Sequence, residues 1–305
     1  MKVALVGIGK IAIDQHVPAI AASQDWELAA TVSRNGSVAG IEAFSDFAAF
    51  LSARPDVGVV SLCLPPVPRY GYAEAALLAG RHVMLEKPPG ATLAEVHALT
   101  ALAGARGLTL YATWHSRMAL AVAPAKAWLA GKRVQKAHIT WREDVRRWHP
   151  GQDWVFAPGG MGVFDPGINA LSILTRILPG VPALLDAELS YPANCETPIA
   201  ARLSLTTSSG APVRADFDFR HTGTQTWDIA VVTDAGTLTL SMGASALKID
   251  DRSVDIPTGE EYPGLYAHFA DVVRRRAIDV DVAPLQLVAD AFLSGRRVVV
   301  EPFVD

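Results

Sequence analysis

The sequence lacks the features that mark secreted and membrane-bound proteins. Its two cysteines, Cys63 and Cys195, are too few for a disulfide framework, and no His and Cys spacing resembles a metal site. No apolar run approaches the ~18 residues that a membrane helix needs, although 50% of the residues are hydrophobic. The opening "MKVALVGIGK" is followed by no small-residue cleavage site and predicts a strand, not a signal peptide. We therefore expect a cytoplasmic protein with no metal ion and no membrane partner.

An excess of positive charge is also absent. The formal net charge at pH 7 is −4, from 27 Lys and Arg against 31 Asp and Glu. General nucleic-acid binding relies on clustered Lys and Arg that neutralise phosphates. The charge balance therefore argues against a nucleic-acid partner.

Apolar runs alternate with helix-length segments in the first third of the chain. The five strand candidates lie at Lys2–Val6, Glu27–Val32, Val57–Leu64, His82–Glu86 and Thr109–Ala112. This alternation is typical of a parallel βαβ sheet. Before the last strand, apolar residues recur at helical spacing from Thr92, and this helix is expected to end at Gly107.

The pattern changes from about residue 134. Segments such as "ARLSLTT", "VRADFDFRH" and "TWDIAVVTDAGTLTLSMG" alternate polar and apolar residues, and "DAG" is typical of a hairpin turn. We expect an antiparallel sheet here, with helices near Gly162–Leu178, Tyr262–Arg276 and Pro284–Leu293. Because single cores rarely grow beyond about 250–300 residues, the 305 residues predict an α/β protein of two domains, 1–118 and 119–305.

The motif "GIGKIA" follows the first strand and opens a helix. Gly7, Gly9 and Ala12 match the G-x-G-x-x-G/A pattern of dinucleotide-binding turns, in which glycines allow a tight turn and a close approach of the backbone to pyrophosphate. The pyrophosphate is expected on the helix N-terminus, at Gly7, Gly9, Lys10 and Ile11. Gly-x-Gly turns also occur as plain bends, but the place in the first strand-turn-helix unit of an alternating α/β domain favours dinucleotide binding.

The second strand ends in "VSRNG", where the ribose of a dinucleotide would lie. NAD enzymes usually place an Asp or Glu about 20 residues after the glycines to bind the ribose hydroxyls. Ser33 and Arg34 instead offer a hydroxyl and a guanidinium, which favours the 2′-phosphate of NADP, or the use of both NADP and NAD. A solvated Arg34 that binds no ligand is the alternative.

Prolines follow two further strands. Pro65 and Pro66 come directly after Leu64 and cannot continue a central strand, so the chain leaves the sheet at the end that faces cofactors in parallel sheets. A rigid turn without ligand contact explains these prolines equally well. The segment "LEKPPG" follows the fourth strand, and its Lys87-Pro88 bond is a candidate cis peptide.

Several motifs together resemble those of the Gfo/Idh/MocA oxidoreductases: the glycine motif, "EKP" after the fourth strand, and "GGMGVFDPGIN" before a helix. Longer strings, "HVMLEKPPGATL", "TWHSR", "WREDVRRWHPGQDW" and "GVFDPGINALSI", resemble the aldose 1-dehydrogenases of that family that act on L-arabinose and D-galactose. The resemblance spans nearly the whole chain. It implies an N-terminal Rossmann domain with a parallel doubly wound sheet, a C-terminal α+β domain with an open, mainly antiparallel sheet, and oxidation of a pyranose at C1 to its lactone.

The resemblance gives Lys87 a chemical role. A lysine at the carboxyl end of a parallel strand points toward the nicotinamide, so Glu86 and Lys87 are expected at the cofactor. In that position Lys87 would polarise or deprotonate the C1 hydroxyl while hydride leaves C1. The alternative is a surface lysine paired with Glu86, but adjacent strand residues point to opposite faces.

Asp165 and Asn169 lie one helical turn apart and share a face. The family more often has a histidine as general acid/base where Asn169 stands, and an amide cannot take a proton at neutral pH. We therefore expect Lys87 to act on O1, Asp165 to tune its charge or share the proton, and Asn169 to orient the sugar. Asp165 followed by Pro166 is also typical of an N-cap with proline at N1, and capping alone would explain both residues.

The segment "WREDVRRWHPGQDW" places Trp141, Trp148 and Trp154 among charged residues. A pyranose presents apolar faces and hydroxyls to such a surface, although at least one of the three tryptophans is expected in the core. The resemblance implies a set of sugar-binding residues within this segment and outside it: His115, Glu143, Trp148, His149, Asp165, Asn169 and Trp227.

Two hypotheses of different classes follow. The first is the NAD(P)-dependent enzyme, with oxidation at another carbon of a sugar or inositol as its variant; the second is a catalytically silent sensor with the same fold. L-arabinose, D-galactose and D-fucose share their ring hydroxyl arrangement and differ only at C5, so all three are candidate substrates. An open sheet with one uncovered apolar face predicts pairing, most simply as a homodimer.

Overall fold

The computed structural model describes residues 1–304, which form two compact units. Unit 1 comprises residues 1–115 together with 260–282, and unit 2 comprises residues 116–259 together with those from 283 onward. The domain division at residue 118 stays a prediction. The sequence analysis did not predict that residues 260–282 belong to unit 1.

Unit 1 contains a parallel sheet of seven strands. These are β1 (Lys2–Val6), β2 (Glu27–Val32), β3 (Ala43–Phe44), β4 (Val59–Leu62), β5 (His82–Leu85), β6 (Leu110–Ala112) and β15 (Ile278–Asp279). Their order is β15-β6-β5-β4-β1-β2-β3, and every neighbouring pair is parallel. The strand order reverses beside β1, which is the switch point where doubly wound sheets bind ligands. The predicted parallel α/β architecture is confirmed.

Five helices accompany this sheet: α1 (Val17–Ala22), α2 (Phe47–Ala53), α3 (Pro66–Leu78), α4 (Leu93–Ala105) and α8 (Glu261–Arg274). A π-helical turn at Ala12–His16 leads into α1. The Thr92 side chain caps α4 in a reciprocal capping box with Glu95, and Gly107 adopts a φ of 61° just after the helix, as predicted.

Unit 2 contains a mixed sheet of nine strands. These are β7 (Val134–Arg142), β8 (Ala183–Pro192), β9 (Ala200–Thr206), β10 (Pro212–Asp218), β11 (Thr226–Thr233), β12 (Gly236–Ser241), β13 (Ala246–Ile249), β14 (Arg252–Val254) and β16 (Arg296–Val300). The order is β14-β13-β12-β11-β7-β10-β9-β8-β16, and all neighbours are antiparallel except β10 with β7 and β16 with β8. The accompanying helices are α5 (Val122–Leu129), α6 (Val145–Trp148), α7 (Phe164–Ile177) and α9 (Ala283–Ser294).

The two faces of the nine-stranded sheet differ in polarity. On the inner face Phe217 is fully buried, and α7 packs against it through a glycine and an aromatic ring. On the opposite face Arg142 pairs with Asp216 at 2.9 Å, and Arg202 pairs with Glu188 at 3.5 Å. The expectation of an uncovered apolar face is therefore wrong, because the outward positions carry charged and hydroxyl side chains. The homodimer stays a prediction, but an apolar sheet face no longer supports it.

The start of α7 is set by a backbone contact and not by a side-chain cap. Gly162 has a φ of 53°, and a Cβ atom added to it would lie 2.2 Å from the carbonyl oxygen of Pro198. The backbone N–H of Val163 donates to that same oxygen at 2.7 Å. The helix begins at Phe164, so Asp165 lies in its first turn and the alternative that Asp165 is the N-cap is wrong.

We predict that Gly162→Ala destabilises the protein by about 1–3 kcal/mol more than Gly210→Ala. Both glycines have a positive φ, but the space around Gly210 is open, whereas a methyl group at Gly162 overlaps Pro198 and forces the kind of shift that overpacking costs. Urea denaturation of both variants measures the difference in free energy of unfolding. Equal losses would show that α7 does not depend on this contact.

Candidate functional site

The glycine turn after β1 leaves room for a phosphate group. Gly7 has a φ of 87°, its N–H donates to Val32 O at 2.9 Å, and an added Cβ would lie 2.9 Å from a methyl carbon of Leu64. By contrast, the space around Gly9 is empty to 4 Å, directly where the helix begins. Backbone N–H groups at such a helix N-terminus bind pyrophosphate, so the turn fits a dinucleotide.

An open cavity of about 440 Å³ lies at the end of β2. Ser33 and Arg34 line it together with residues 35–37 and 43–45, and these lining residues include no carboxylate. The guanidinium of Arg34 is a group that binds phosphate strongly, and a preference for the 2′-phosphate of NADP stays a prediction.

Arg69 connects the loops that follow β4 and β5 by hydrogen bonds. Its buried guanidinium donates from Nε to the carbonyl oxygen of Leu64 at 3.1 Å, and from Nη1 to the carbonyl oxygens of Glu86 and Pro88. The sequence analysis did not single out Arg69, because its partners are backbone atoms that no side-chain motif reveals. The loop of Pro65 and Pro66 and the "EKPP" loop are thereby held as one structure within unit 1.

The carboxylate of Glu86 is buried, and protein groups bind both of its oxygens. Oε1 lies 3.1 Å from His16 Nε2 and accepts from the Tyr262 hydroxyl at 2.8 Å, while Oε2 accepts from the backbone N–H of Lys87 at 2.9 Å. The Lys87-Pro88 bond that follows is cis, as predicted. Glu86 therefore fixes the backbone that carries Lys87, and its direct contact with a cofactor stays a prediction.

His16 and Glu86 form a buried pair in which the pKa of the histidine is raised and the pKa of the glutamate is lowered. Burial opposes a charge on His16, but Cys63, Tyr266 and the bonded Glu86 raise the pKa of His16 well above its ordinary value. Burial likewise opposes a charge on Glu86, but hydrogen bonding by His16 and Tyr262 holds the pKa of Glu86 well below its ordinary value. The second ring nitrogen of His16, Nδ1, lies 2.8 Å from the Tyr266 hydroxyl. We infer an imidazolium-carboxylate pair inside unit 1.

His115 lies shortly after β6 in unit 1 and contacts the first residues of α8. Its Nδ1 is 2.5 Å from Glu261 Oε2, and its ring stacks on Tyr262 with centroids 5.5 Å apart. Burial opposes a charge on the ring, but Glu261 raises the pKa of His115. The predicted role of His115 in sugar binding stays a prediction.

In unit 2, four of the predicted sugar-binding residues lie close together although they belong to separate elements. Glu143 follows β7, His149 follows α6, Asp165 lies on α7, and both carboxylates are only 4% exposed. His149 Nε2 lies 3.7 Å from Asp165 Oδ2 and 3.9 Å from Glu143 Oε1. Trp227, on β11, donates from Nε1 to Glu143 Oε2 at 2.8 Å. We call these four residues the carboxylate–histidine cluster.

Two further tryptophans lie near this cluster, and they differ in their exposure to solvent. Trp148 is 36% exposed, lies 5.4 Å from the Trp227 ring and donates to Gln225 Oε1 at 2.8 Å. Trp141 is buried and its ring stacks on that of Trp227 with centroids 6.0 Å apart, which confirms that at least one tryptophan of this segment belongs to the core. Asn169 is half-buried on α7, one turn after the aspartate of the cluster. Trp227 and Trp148 thus offer an aromatic surface beside the buried carboxylates.

Residues 1–304 contain no group of three or more His, Cys, Asp or Glu side chains that could hold a metal ion. Every helix within that same range is too short or too polar to cross a lipid bilayer.

Known proteins resemble this chain along its whole length. The family model for oxidoreductases with an NAD-binding Rossmann fold, Gfo/Idh/MocA, matches residues 1–113. Galactose 1-dehydrogenase from Pseudomonas fluorescens is 42% identical over 100% of this chain and 99% of its own. The crystal structure of D-galactose-1-dehydrogenase from Rhizobium etli has 51% identity and a TM-score of 0.96, and the match covers 99% of this chain and 97% of that one. A 3-ketoreductase from Actinomadura kijaniata, solved with NADP, shares the fold at 20% identity, with a TM-score of 0.86 over 98% of this chain and 99% of that one.

We predict that His16→Gln lowers the free energy of unfolding by about 3 kcal/mol at pH 5.5, because it leaves the buried Glu86 carboxylate without its charged partner. The folded pKa of His16 is raised, so its contribution is complete below the ordinary value of 6.5 and is lost as the pH rises through the folded pKa. The folded pKa of Glu86 is lowered, so its contribution is complete above 4.5 and is lost as the pH falls through the folded pKa. The loss caused by His16→Gln should therefore be largest between these two values and shrink at alkaline pH.

Urea denaturation at pH 5.5 and pH 9 measures this loss. His97→Gln, at an exposed position on α4, is the matched control and should change stability little at either pH. A loss from His16→Gln that is the same at both pH values would contradict the imidazolium-carboxylate pair.

Proposed function

This chain belongs to the Gfo/Idh/MocA oxidoreductase family, and we propose that it is an NAD(P)-dependent aldose 1-dehydrogenase. It oxidises the C1 hydroxyl of D-galactose, L-arabinose or D-fucose to the lactone. The observation that carries the proposal is the carboxylate–histidine cluster of unit 2, in which hydrogen-bonding groups lie beside an aromatic surface. Full-length similarity to two galactose 1-dehydrogenases supports it.

Unit 1 would hold the cofactor. Gly7, Gly9, Lys10 and Ile11 bind the pyrophosphate, and Ser33 with Arg34 binds the ribose 2′-phosphate, so NADP is preferred and NAD is also accepted. Leu64, Pro65, Pro66 and Glu86 shape the remaining loops of the cofactor site. When bound, the oxidised nicotinamide supplies the acceptor for the hydride of C1.

The sugar would be held by hydrogen bonds and by apolar contact. Glu143 and His149 bind ring hydroxyls, and Trp148 and Trp227 cover the apolar face of the pyranose. Asn169 orients the ring, and His115 contributes one further polar contact. The three candidate sugars differ only at C5, a difference worth about 1–3 kcal/mol in an apolar pocket, so we expect all three to be oxidised at different rates.

Lys87 and Asp165 would act on the reacting C1 hydroxyl through their charges. The backbone of Lys87 is fixed by Glu86 and its ammonium polarises the C1 hydroxyl, which lowers the barrier to hydride departure. Asp165 is a buried carboxylate that tunes this charge and shares the proton. The enzyme would act as a homodimer in the cytoplasm, with no nucleic-acid partner.

A kinetic comparison of aldoses and cofactors tests the function. We expect nicotinamide reduction with D-galactose, L-arabinose and D-fucose, formation of the lactone, and a lower KM for NADP than for NAD. Arg34→Ala should raise the KM for NADP about tenfold or more and leave NAD nearly unchanged, because hydrogen bonds between charged groups contribute about 1.5–3 kcal/mol. A keto-aldose product, with a new ketone on the ring and an unoxidised C1, would indicate oxidation at another carbon, and cofactor binding without turnover of any aldose would indicate a sensor.

Lys87→Ala tests the catalytic assignment. We predict a fall in kcat of about 100-fold or more, because a positioned acid or base contributes roughly 10²–10⁴-fold. Lys126→Ala, at an exposed position on α5, is the matched control and should retain wild-type turnover. Turnover of the Lys87 variant within about tenfold of wild type, or ~1.4 kcal/mol, would remove Lys87 from the mechanism.

A further inference from the structure

Arg69 lies near the start of α3, and its side chain is buried, with only 2% of the residue exposed. Its Nε and Nη2 both donate to the carbonyl oxygen of Leu64, whereas Nη1 donates to the carbonyl oxygens of Glu86 and Pro88. One guanidinium therefore binds the loop after β4 by one edge and the loop after β5 by its remaining nitrogen.

The two carbonyl groups that Nη1 binds lie on either side of Lys87. Glu86 directly precedes Lys87 and Pro88 directly follows it. The backbone N–H of Lys87 itself donates to Glu86 Oε2 at 2.9 Å. Hydrogen bonds thus hold the backbone of Lys87 at its own N–H and at both neighbouring carbonyl groups, and together they fix the direction in which its side chain leaves the chain.

The loop after β4 packs on the glycine turn that follows β1. A Cβ atom added to Gly7 would lie 2.9 Å from a methyl carbon of Leu64, so the two backbones approach each other as closely as a glycine allows. Because the carbonyl group of Leu64 is also a partner of Arg69, the guanidinium sets the position of Lys87 relative to this turn.

A guanidinium suits this arrangement because its donors point in fixed directions within one plane. The edge formed by Nε and Nη2 meets a single carbonyl oxygen, and Nη1 meets the two carbonyl oxygens of the other loop. A lysine ammonium is a point charge on a flexible stem and has no planar fork. A lysine at position 69 would therefore keep the positive charge and would not hold both loops in one geometry.

We propose, on the basis of the proposed function, that Arg69 is a positioning residue for oxidation of the sugar. Arg69 acts through Lys87: it holds the lysine backbone at the place from which the ammonium reaches the C1 hydroxyl, and it takes no proton itself. A displacement of a catalytic group by about 1 Å can lower turnover roughly 10²-fold. Loss of the planar fork should therefore lower kcat and leave sugar affinity nearly unchanged.

Arg69→Lys and Arg81→Lys form a matched pair. Arg81 is also a buried arginine of unit 1, and it precedes β5 at the other end of the strand. Its guanidinium likewise binds backbone carbonyl oxygens, those of Leu51, Arg54 and Pro55. With NADP at saturation, we expect Arg69→Lys to lower kcat for D-galactose at least about tenfold and to change KM for the sugar less than about threefold. Arg81→Lys should keep kcat within about twofold of wild type, and thermal denaturation verifies that both variants are folded.

A double-mutant cycle shows whether Arg69 acts through Lys87. In the Lys87→Ala background, Arg69→Lys should lower kcat less than about threefold, because the group that the arginine positions is gone. A further loss of threefold or more in that background would show that Arg69 acts elsewhere, and it would overturn the proposal.

Other results would also contradict this role. A loss of kcat below tenfold, an equal loss from Arg81→Lys, or a rise in KM for NADP alone would exclude positioning of Lys87. An Arg69→Lys protein that is unfolded at the assay temperature would assign Arg69 to stability instead. A wild type that oxidises no aldose, or a fully active Lys87→Ala, would remove the proposed function or its catalytic lysine together with this inference. An active wild type with an impaired Lys87→Ala and independent losses in the cycle would remove this inference alone.

Discussion

The buried carboxylate of Glu86 is the constraint on which much of unit 1 depends. An isolated carboxylate in a protein interior is strongly unfavourable, so this group requires nearby donors and an opposite charge. His16 supplies the charge from the helix after the glycine turn, Tyr262 supplies a hydroxyl from α8, and the backbone N–H of Lys87 completes the set. The glycine turn, the end of β5 and α8 are therefore linked through one side chain, and α8 is a helix that the chain supplies 175 residues later.

Local patterns predict much of this fold, because many of its elements are defined by nearby residues. The alternation of apolar runs predicts β1, β2, β4, β5 and β6, and the capping residues of α4 predict both of its ends. Five strands have no counterpart in the sequence analysis, β3, β8, β14, β15 and β16, and of these β8 and β16 are informative. They pair with each other in parallel although more than 100 residues separate them, so no short-range signal reports their partnership. The same limit explains the start of α7, where the Asp165-Pro166 signal for an N-cap is overridden by the contact between Gly162 and Pro198.

The residues of the candidate site likewise divide into those that the sequence analysis predicts and those that it does not. Glu143, His149 and Trp227 were predicted from a resemblance, and the structure brings them together with Asp165, although they come from four elements. His16, Arg69 and Tyr262 were not predicted, because a histidine or tyrosine among apolar helix residues resembles ordinary core. For His16 and Tyr262 there is only an indirect signal: Glu86 directly follows a mostly buried strand, and its carboxylate must find donors in the fold.

The two polar clusters differ in the distances between their charged groups. His16, Tyr262 and the backbone N–H of Lys87 lie 2.8–3.1 Å from the carboxylate oxygens of Glu86, so this carboxylate is bound by side chains and backbone, and the cluster has the geometry of a structural support. Around His149 the distances are longer, because its Nε2 lies 3.7 Å from Asp165 Oδ2 and 3.9 Å from Glu143 Oε1. The unit 1 cluster therefore fixes the backbone of the proposed catalytic lysine, whereas sugar binding by the unit 2 cluster is part of the proposed function.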